Sequence, residues 1–375
     1  MEGAPIDIVV FAPLAPIIGL ILFWFIQLLF IESEKFLLDK IRPRHEPLCR
    51  FTNFLGILFQ NINHALGYTV TKSGISDFYI SINYGKVAPK KQRKGIYEWI
   101  SNGFLFVGPF FIPAFLLLLA LFFMLNDAFV ITTPSELIDI KYTFAGQFST
   151  FAVSLHSFSS KFFEFLLNID LFHPAHFGFI FFMIFLGLGM RPSYIGQEKP
   201  EKIDMLYDLK NIWNHIRHKP LYVVILFLIS YIFFYLSFFL NQDWYVALFS
   251  IFGWVSIISI VALIIGNSIL LLIRTTDLIE DRKRLIPYFI LPFSYIMIRL
   301  LFFYFPIDYI NTISLITMIL ATALVTYLLI RPKTNKFKTK LNIKKSKKKD
   351  KKKRKGKKKS KKKEKKKGEE ETDEG

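Results

Sequence analysis

Eight apolar runs, several of them about 20 residues long, constrain this chain more than any other feature. They lie at residues 8–31, 51–70, 103–125, 172–190, 220–240, 244–273, 286–305 and 309–330. About 20 apolar residues in a helix cross the hydrocarbon core of a bilayer, where helices or closed barrels are needed to satisfy the backbone hydrogen bonds. Because the runs are continuous rather than alternating, they indicate helices. The sequence therefore predicts an all-α polytopic membrane protein with about eight transmembrane helices.

The segments between the runs predict four regions along the chain. They are an N-terminal span with a charged loop, a membrane core, a bundle of four spans with its connector, and a Lys-rich tail, at residues 1–50, 51–200, 201–331 and 332–375. Within the core, residues 76–88 alternate and contain the turn sequence Asn83-Tyr84-Gly85, which predicts a small β-hairpin at the cytoplasmic face. Residues 146–168 predict an amphipathic helix at the outer interface, and residues 197–218 predict a charged helical connector.

The basic residues are concentrated in two loops and in the tail. From Arg331 to the end, 24 Lys and Arg stand against 7 Asp and Glu, so the tail carries +17 of the total charge of +19. The segments 86–94 and 274–284 are also basic. Since basic residues accumulate on the cytoplasmic side of membranes, we expect both loops and the C-terminal tail in the cytoplasm. A tail of this composition cannot bury a core, and it is predicted to be disordered.

Five polar residues interrupt the second apolar run on or beside one face of the predicted helix: Asn53, Gln60, Asn61, Asn63 and His64. Amide and imidazole groups are costly to expose to lipid, so we expect this face to point towards other helices or a hydrated cavity. Hydrogen bonds between helices are sufficient to explain such a pattern. A second interpretation starts from Gln60 and His64, which have the spacing of the two histidines in the zinc motif His-Glu-x-x-His.

The residues that follow this polar face favour the second interpretation. His64 is continued by Ala65-Leu66-Gly67, and the predicted hairpin comes next. A later span opens with Gly108-Pro109, and a further one is followed by Pro192-Ser193. In this order, over about residues 50–200, the chain resembles the site-2 protease family of intramembrane zinc metalloproteases.

The resemblance implies a protease scaffold that lacks the protease chemistry. His64 stands at one of three zinc-ligand positions, whereas Gln60 and Gly196 stand at the other two and Asn61 stands at the position of the general base. One imidazole does not hold a catalytic zinc ion, which takes three protein ligands and an open position. We therefore expect no cofactor, no peptide hydrolysis, and a pseudoprotease that binds transmembrane segments of client proteins.

The same resemblance implies which residues line the cleft for such segments. They are Asn53, Gln60, Asn61, Asn63, His64, Gly108, Pro109, Pro192 and Ser193. Their polar atoms would form hydrogen bonds with exposed peptide backbone. One alternative is an active zinc metalloprotease with unusual ligands, among them His64. A separate candidate metal site is formed by His173 and His176, with His156 nearby, and it would lie across the membrane from His64.

The Lys-rich tail predicts a partner that carries phosphate groups. Anionic lipid headgroups attract polybasic segments next to a membrane span, and the phosphates of ribosomal RNA would bind the same charges through counterion release. Phe337 is the one aromatic residue of the tail, so RNA binding would be independent of base sequence. A membrane-biogenesis or ribosome-docking factor is therefore a further functional hypothesis, beside a solvated tail that only sets topology.

The charge pattern and the family resemblance disagree about residues 51–70. If this run only dips into the bilayer, every basic loop lies in the cytoplasm, which the positive-inside rule favours. If it crosses fully, as the resemblance implies, the loop 32–50 lies outside and the N-terminus inside. In that loop the basic residues are nearly balanced by acidic ones, so the charge penalty of a crossing is small. We expect the full crossing.

Overall fold

A computed structural model describes residues 6–125, 141–199, 201–280, 282–304 and 309–330. The described chain is mostly helical, with a short π-helical turn at Asp7–Phe11 before the first helix. Its helices are α1 (Leu14–Ile41), α2 (Glu46–Val70), α3 (Ile96–Phe106), α4 (Gly108–Leu125), α5 (Phe144–Leu167), α6 (Pro174–Gly189), α7 (Met205–His218), α8 (Pro220–Phe239), α9 (Trp244–Thr276), α10 (Ile286–Leu301) and α11 (Ile310–Ile330). Its strands are β1 (Ile75–Ile80), β2 (Gly85–Pro89), β3 (Tyr194–Ile195) and β4 (Glu201–Lys202).

Five of the described helices are long and apolar enough to cross a membrane: α1, α4, α8, α9 and α11. The helices α6 and α10 are also apolar, but each has 16 residues, about 24 Å of helix against a hydrocarbon core of about 30 Å. A helical membrane-protein fold is thus confirmed in outline, whereas the expected number of about eight spans is not reached among the described residues. Helix α2 is not one of the five, because its amide side chains lower its hydropathy. The predicted disordered tail lies outside the described residues.

Proline and capping residues explain where several helices begin. Proline occupies the first turn of α2, α6, α8 and α10, at Pro47, Pro174, Pro220 and Pro287. An amide hydrogen has no helical partner there, so proline is tolerated. Helix α5 begins after Thr143, whose hydroxyl accepts a 3.1 Å hydrogen bond from the amide of Gly146. Helix α7 begins after Asp204, whose carboxylate accepts one of 2.7 Å from the amide of Tyr207. Helix α5 covers nearly all of the helix predicted at residues 146–168, and α7 covers the last 14 residues of the connector predicted at 197–218. The location of α5 at the outer interface stays a prediction.

The hairpin predicted within residues 76–88 is confirmed. Strands β1 and β2 pair antiparallel, with a register irregularity between Ile75 and Asp77. The amide of Ser81 donates a 2.7 Å hydrogen bond to the carbonyl oxygen of Tyr84 and closes the turn. Strands β3 and β4 form a second, two-residue antiparallel ladder. The cytoplasmic location of the hairpin stays a prediction.

The chain divides into two compact units. The first contains the residues up to 274 together with 309–312, and it runs through the boundary predicted at residue 200. Of the described residues, the second contains 275–280, 282–304 and 313–330. All predicted site residues belong to the first unit.

In the first unit, the segment before α1 packs against the C-terminal part of α8. The hydroxyls of Tyr231 and Tyr235 donate 2.7 Å hydrogen bonds to the carbonyl oxygens of Val10 and Val9, respectively. Since α8 ends one turn after Tyr235, the start of α1 and the end of α8 lie at the same end of the unit.

The C-terminal part of α1 packs against the segment that follows α6. Lys202 forms a 2.7 Å ion pair with Asp39, and the amide of Met205 donates a 3.1 Å hydrogen bond to the carboxylate of Glu32. We name this end of the first unit the connector face and define it by residues 191–219. Helix α1 therefore runs from the far end of the unit to the connector face.

Both ends of α2 lie at the connector face. Helix α2 begins after a four-residue loop that follows α1. Beyond its other end, the hydroxyl of Thr71 lies 3.1 Å from that of Ser101 on α3, and Trp99 of α3 donates a 3.3 Å hydrogen bond to the carbonyl oxygen of His215 on α7. Both ends of α2 therefore contact segments that pack at the connector face. The full crossing expected for residues 51–70 stays a prediction.

Candidate functional site

Asn53 of α2 joins the hairpin to the segment after α6. Its amide nitrogen donates hydrogen bonds to the carbonyl oxygens of Ile82 (2.6 Å) and Tyr194 (3.0 Å). Its amide oxygen accepts hydrogen bonds from the backbone amides of Ser193 and Tyr194, both at 2.8 Å. A side-chain amide has two donors and two acceptor lone pairs, so these contacts use its full capacity. Asn53 is thus a junction of three chain segments.

Asn61 and Gly85 bring the hairpin against the middle of α2. The amide nitrogen of Asn61 donates a 3.3 Å hydrogen bond to the carbonyl oxygen of Tyr79 on β1. Gly85, at the start of β2, lies so close to Asn61 that a Cβ atom at this position would collide with its amide group. The general-base position of the zinc motif is thus occupied by a residue that packs against the hairpin.

Asn63 and Gly108 bring α4 against the same helix. The amide nitrogen of Asn63 donates a 2.6 Å hydrogen bond to the carbonyl oxygen of Phe59, one turn earlier in α2. A Cβ atom on Gly108 would lie 3.0 Å from the Cβ of Asn63, so glycine allows the close approach. Pro109 follows in the first turn of α4 and is buried.

Pro192, Ser193 and Gly196 lie beside the turn of the hairpin. Pro192 packs on Gly56 of α2, where a Cβ atom would collide with the proline backbone. The amide of Gly196 donates a 2.9 Å hydrogen bond to the carbonyl oxygen of Asn83 in the turn. The structure thus brings these three predicted residues together with Asn53, through backbone contacts.

Three polar atoms within one stretch of α2 are buried and have no hydrogen-bond partner among the described residues. They are Oε1 of Gln60, Oδ1 of Asn63 and Nε2 of His64. Spacings of three and four residues place these side chains on one side of the helix. The ring of His64 packs on that of Tyr68 with 4.4 Å between centroids, and both residues are partly exposed. We name Gln60, Asn63 and His64 the polar triplet.

The residues at the zinc-motif positions do not fit a zinc ion. Gln60 and Asn61 present amides, and Gly196 has no side chain and lies against Asn83. His64 is then the single ligand, whereas a catalytic zinc site takes three from the protein. Over the parts of the chain that the structure describes, no group of three His, Cys, Asp or Glu residues is placed to hold a metal ion. The amides at the zinc-motif positions can form hydrogen bonds, and Asn61 at the general-base position is an amide that does not accept a proton from water.

The alternative ligands His173 and His176 lie at the start of α6, with 4.7 Å between ring centroids. Nδ1 of His176 accepts a 3.1 Å hydrogen bond from the backbone amide of Asp170. His176 therefore orders the turn that leads into α6.

A buried ionic cluster was missed from the sequence. Arg191 and Asp208 form a forked ion pair in which both side chains are 2% exposed. Glu34 and Lys35 of α1 are also buried, and Lys35 interacts electrostatically with both members of the pair. The guanidinium of Arg191 lies 5.7 Å from the ring centroid of Phe110. A sequence signal existed, because Arg191 directly follows an apolar run, but its partner on α7 is 17 residues away.

The chain was compared with protein-family models, with curated proteins and with solved structures, and none of the three comparisons finds a match. The likeness to site-2 proteases therefore stays a prediction that rests on short motifs.

Proposed function

We propose that this chain is a membrane-embedded binding protein on a scaffold of site-2 protease type, without hydrolytic chemistry, which holds transmembrane segments of client proteins against α2. The observation that carries the proposal is the polar triplet of Gln60, Asn63 and His64, with its three buried atoms that lack partners in the described chain. A buried polar group without a partner costs about 1–3 kcal/mol. A ligand that supplies the missing partners offsets this cost.

The chemistry of the triplet suits a polypeptide in the membrane. Gln60 and Asn63 present amide oxygens, which accept hydrogen bonds from backbone N–H groups. Within the bilayer, an unwound stretch of a client has no water to satisfy such groups, so a protein acceptor is valuable there. The partly exposed rings of His64 and Tyr68 lie at the accessible edge of the triplet. Asn53 and Asn61, by contrast, hold the hairpin in place.

The first test replaces two members of the triplet by an apolar residue of similar size. The double variant Gln60→Leu/Asn63→Leu removes two unpaired polar groups, so we expect a melting temperature in detergent equal to or above that of the native chain. We expect client binding, measured as cross-linked membrane-segment adducts, to fall at least about five-fold, because roughly 1 kcal/mol is lost with each hydrogen bond. A clear drop in melting temperature would show instead that the triplet supports the fold.

The second test measures metal in the purified protein. Native chain and His64→Ala are analysed for zinc by mass spectrometry after purification without chelators. With one imidazole in the donor set, we expect substoichiometric zinc in both samples. Stoichiometric zinc in the native chain that disappears in His64→Ala would establish the alternative, an active metalloprotease with unusual ligands.

A second candidate function rests on the charge of the tail, +17 from residue 331 onward. We propose that such a tail binds ribosomal RNA through its phosphates while the membrane helices shelter client segments during membrane insertion. Deleting residues 333–375 should then abolish salt-sensitive co-sedimentation with ribosomes. If co-sedimentation survives the deletion, the tail is not the tether.

A further inference from the structure

One side of α7 exposes alternating apolar and basic residues. Leu206, Lys210, Trp213 and Arg217 are separated by four, three and four residues, so they lie along one side of the helix. Leu206 is 74% exposed and Trp213 is 62% exposed, and both basic residues are exposed as well. This side of α7 therefore presents two large apolar side chains and two basic ones to the surroundings of the helix.

The opposite side of α7 attaches the helix to the rest of the first unit. Asp208 forms the buried ion pair with Arg191. Farther along, His215 stacks on Trp99 of α3 with 4.8 Å between ring centroids and an interplanar angle of 11°. These contacts, near the two ends of α7, set the direction in which the exposed side points.

The segment before α3 adds basic residues near the junction of α7 and α8, where Trp99 of α3 contacts His215 and Tyr222. Four of them precede the first turn of α3, at Lys90, Lys91, Arg93 and Lys94. Together, segments 90–99 and 205–219 hold seven Lys and Arg against two acidic residues, a net charge of +5. One of the two acids is Asp208, which is already paired with Arg191.

Both helices are directly continued by membrane spans. Helix α7 ends at His218 and the candidate span α8 begins at Pro220, while α3 ends at Phe106 and the candidate span α4 begins at Gly108. The exposed side of α7 therefore lies at the level where spans enter the bilayer. Tryptophan and the long basic side chains are the residues that proteins place at this level.

We propose that this surface, which we name the basic interface and define by Lys90–Lys94 with Leu206, Lys210, Trp213 and Arg217, binds the headgroups of anionic phospholipids. The ammonium and guanidinium groups bind the phosphates, while Leu206 and Trp213 enter the layer between headgroups and acyl chains. RNA would match the charges, but it offers no apolar partner for an exposed leucine. The tail is not needed for this binding.

The test uses the purified full chain in phosphatidylcholine nanodiscs, titrated with short-chain phosphatidylglycerol. The surface variant carries Lys91→Gln, Lys94→Gln, Lys210→Gln and Arg217→Gln. The matched control removes the same four charges from the tail, with Lys351→Gln, Lys352→Gln, Lys353→Gln and Arg354→Gln. Each basic residue at an anionic surface contributes a factor of roughly five to affinity. We therefore expect the surface variant to lose at least about ten-fold. The tail variant keeps 20 of the 24 basic residues of the tail and should lose much less affinity than the surface variant.

Two further sets of measurements complete the test. Other phosphate-containing ligands show whether an anionic lipid is required, and single variants show whether the loss of binding arises without misfolding. Short-chain phosphatidylcholine and inorganic phosphate should each bind at least about ten-fold more weakly than phosphatidylglycerol. Single variants Lys210→Gln and Arg217→Gln, at exposed residues, should each lose roughly three- to five-fold. Equal binding by native chain and surface variant, or a loss confined to the tail variant, would overturn the proposal. Tighter binding of oligouridylate through the same four residues would assign the surface to RNA and overturn it as well.

Discussion

At the scale of single residues, Asn53 stabilises the fold, because its side-chain amide forms its hydrogen bonds with backbone groups of this chain. Asn53→Ala removes the four hydrogen bonds that join α2 to Ile82, Ser193 and Tyr194. Each of these hydrogen bonds contributes about 1 kcal/mol net, and the backbone groups left without a partner recover part of the loss by relaxing. We therefore expect the free energy of unfolding to fall by about 3 kcal/mol. Thermal unfolding in detergent and protease cleavage of the hairpin measure the effect. Asn214→Ala, at an exposed asparagine of α7, is the matched control and should unfold as the native chain does.

The ion pair of Arg191 and Asp208 is a second residue-scale test. Asp208→Ala leaves a guanidinium buried without its partner, so we expect a loss of about 3–5 kcal/mol in unfolding free energy. The double variant Arg191→Met/Asp208→Leu replaces the pair by apolar side chains and should recover most of that loss. As control, Asp77→Ala breaks the exposed pair with Lys86 and should change the melting temperature little. If the double variant is as unstable as the single one, the pair has a role beyond charge compensation.

At this scale the sequence predicted which polar residues matter, but it did not predict what they do. Spacing on a helix showed that Asn53, Gln60, Asn61 and His64 belong near one face. Asn53 binds strand and loop residues that are 29 to 141 positions away, and no local pattern contains such contacts. The resemblance therefore put the polar residues of α2 into one predicted cleft, whereas the structure divides them into residues that hold the hairpin and the polar triplet.

At the scale of elements, the crossing of α6 and α9 depends on a pair of glycines. A Cβ atom at Gly187 would collide with the carbonyl oxygen of Ala262, and one at Gly266 would collide with that of Gly187. The two backbones are thus in direct contact, as small residues in membrane helices permit. Gly187→Ala should lower the unfolding free energy by about 1–3 kcal/mol, as overpacking does. Thermal unfolding in detergent measures the loss.

The same helix contains the control for this prediction. A Cβ atom at Gly178 of α6 would have open space around it, with no neighbouring atom of the described residues within 4 Å. Gly178→Ala should therefore leave stability unchanged or raise it slightly, because alanine favours helix more than glycine does. Equal destabilisation by Gly178→Ala and Gly187→Ala would contradict a specific crossing at Gly187.

Elements were predicted well where local signals define them. Continuous apolar runs gave the long helices, and the alternating segment with Asn83-Tyr84-Gly85 gave the hairpin. For the path of α2 through the membrane, the family resemblance and the charge of the neighbouring loops gave different predictions. The contacts near the ends of α2, such as Asp39 with Lys202, join residues 163 positions apart, so they are not visible in any window of sequence.

At the scale of the whole chain, the contacts of the first unit predict which residues share a side of the membrane. Arg44→Cys and Lys72→Cys, just outside the two ends of α2, should react with an impermeant maleimide from the same side. Gln242→Cys, near the end of α8, should react from the other side. The native Cys49 is buried and gives little background. Labelling of Arg44→Cys and Lys72→Cys from opposite sides would show instead that residues 51–70 cross the membrane fully.

Client binding at the polar triplet is the central claim, and site-specific photo-crosslinking tests it most directly. A benzoylphenylalanine replaces Tyr68, which packs on His64, and in a control it replaces Ile62, which lies about 200° around the helix from His64. After irradiation in membranes, mass spectrometry identifies the cross-linked peptides. We predict adducts with transmembrane segments of other proteins from position 68, reduced at least about five-fold by Gln60→Leu/Asn63→Leu. Equal adducts from positions 62 and 68, unaffected by the double variant, would contradict the account.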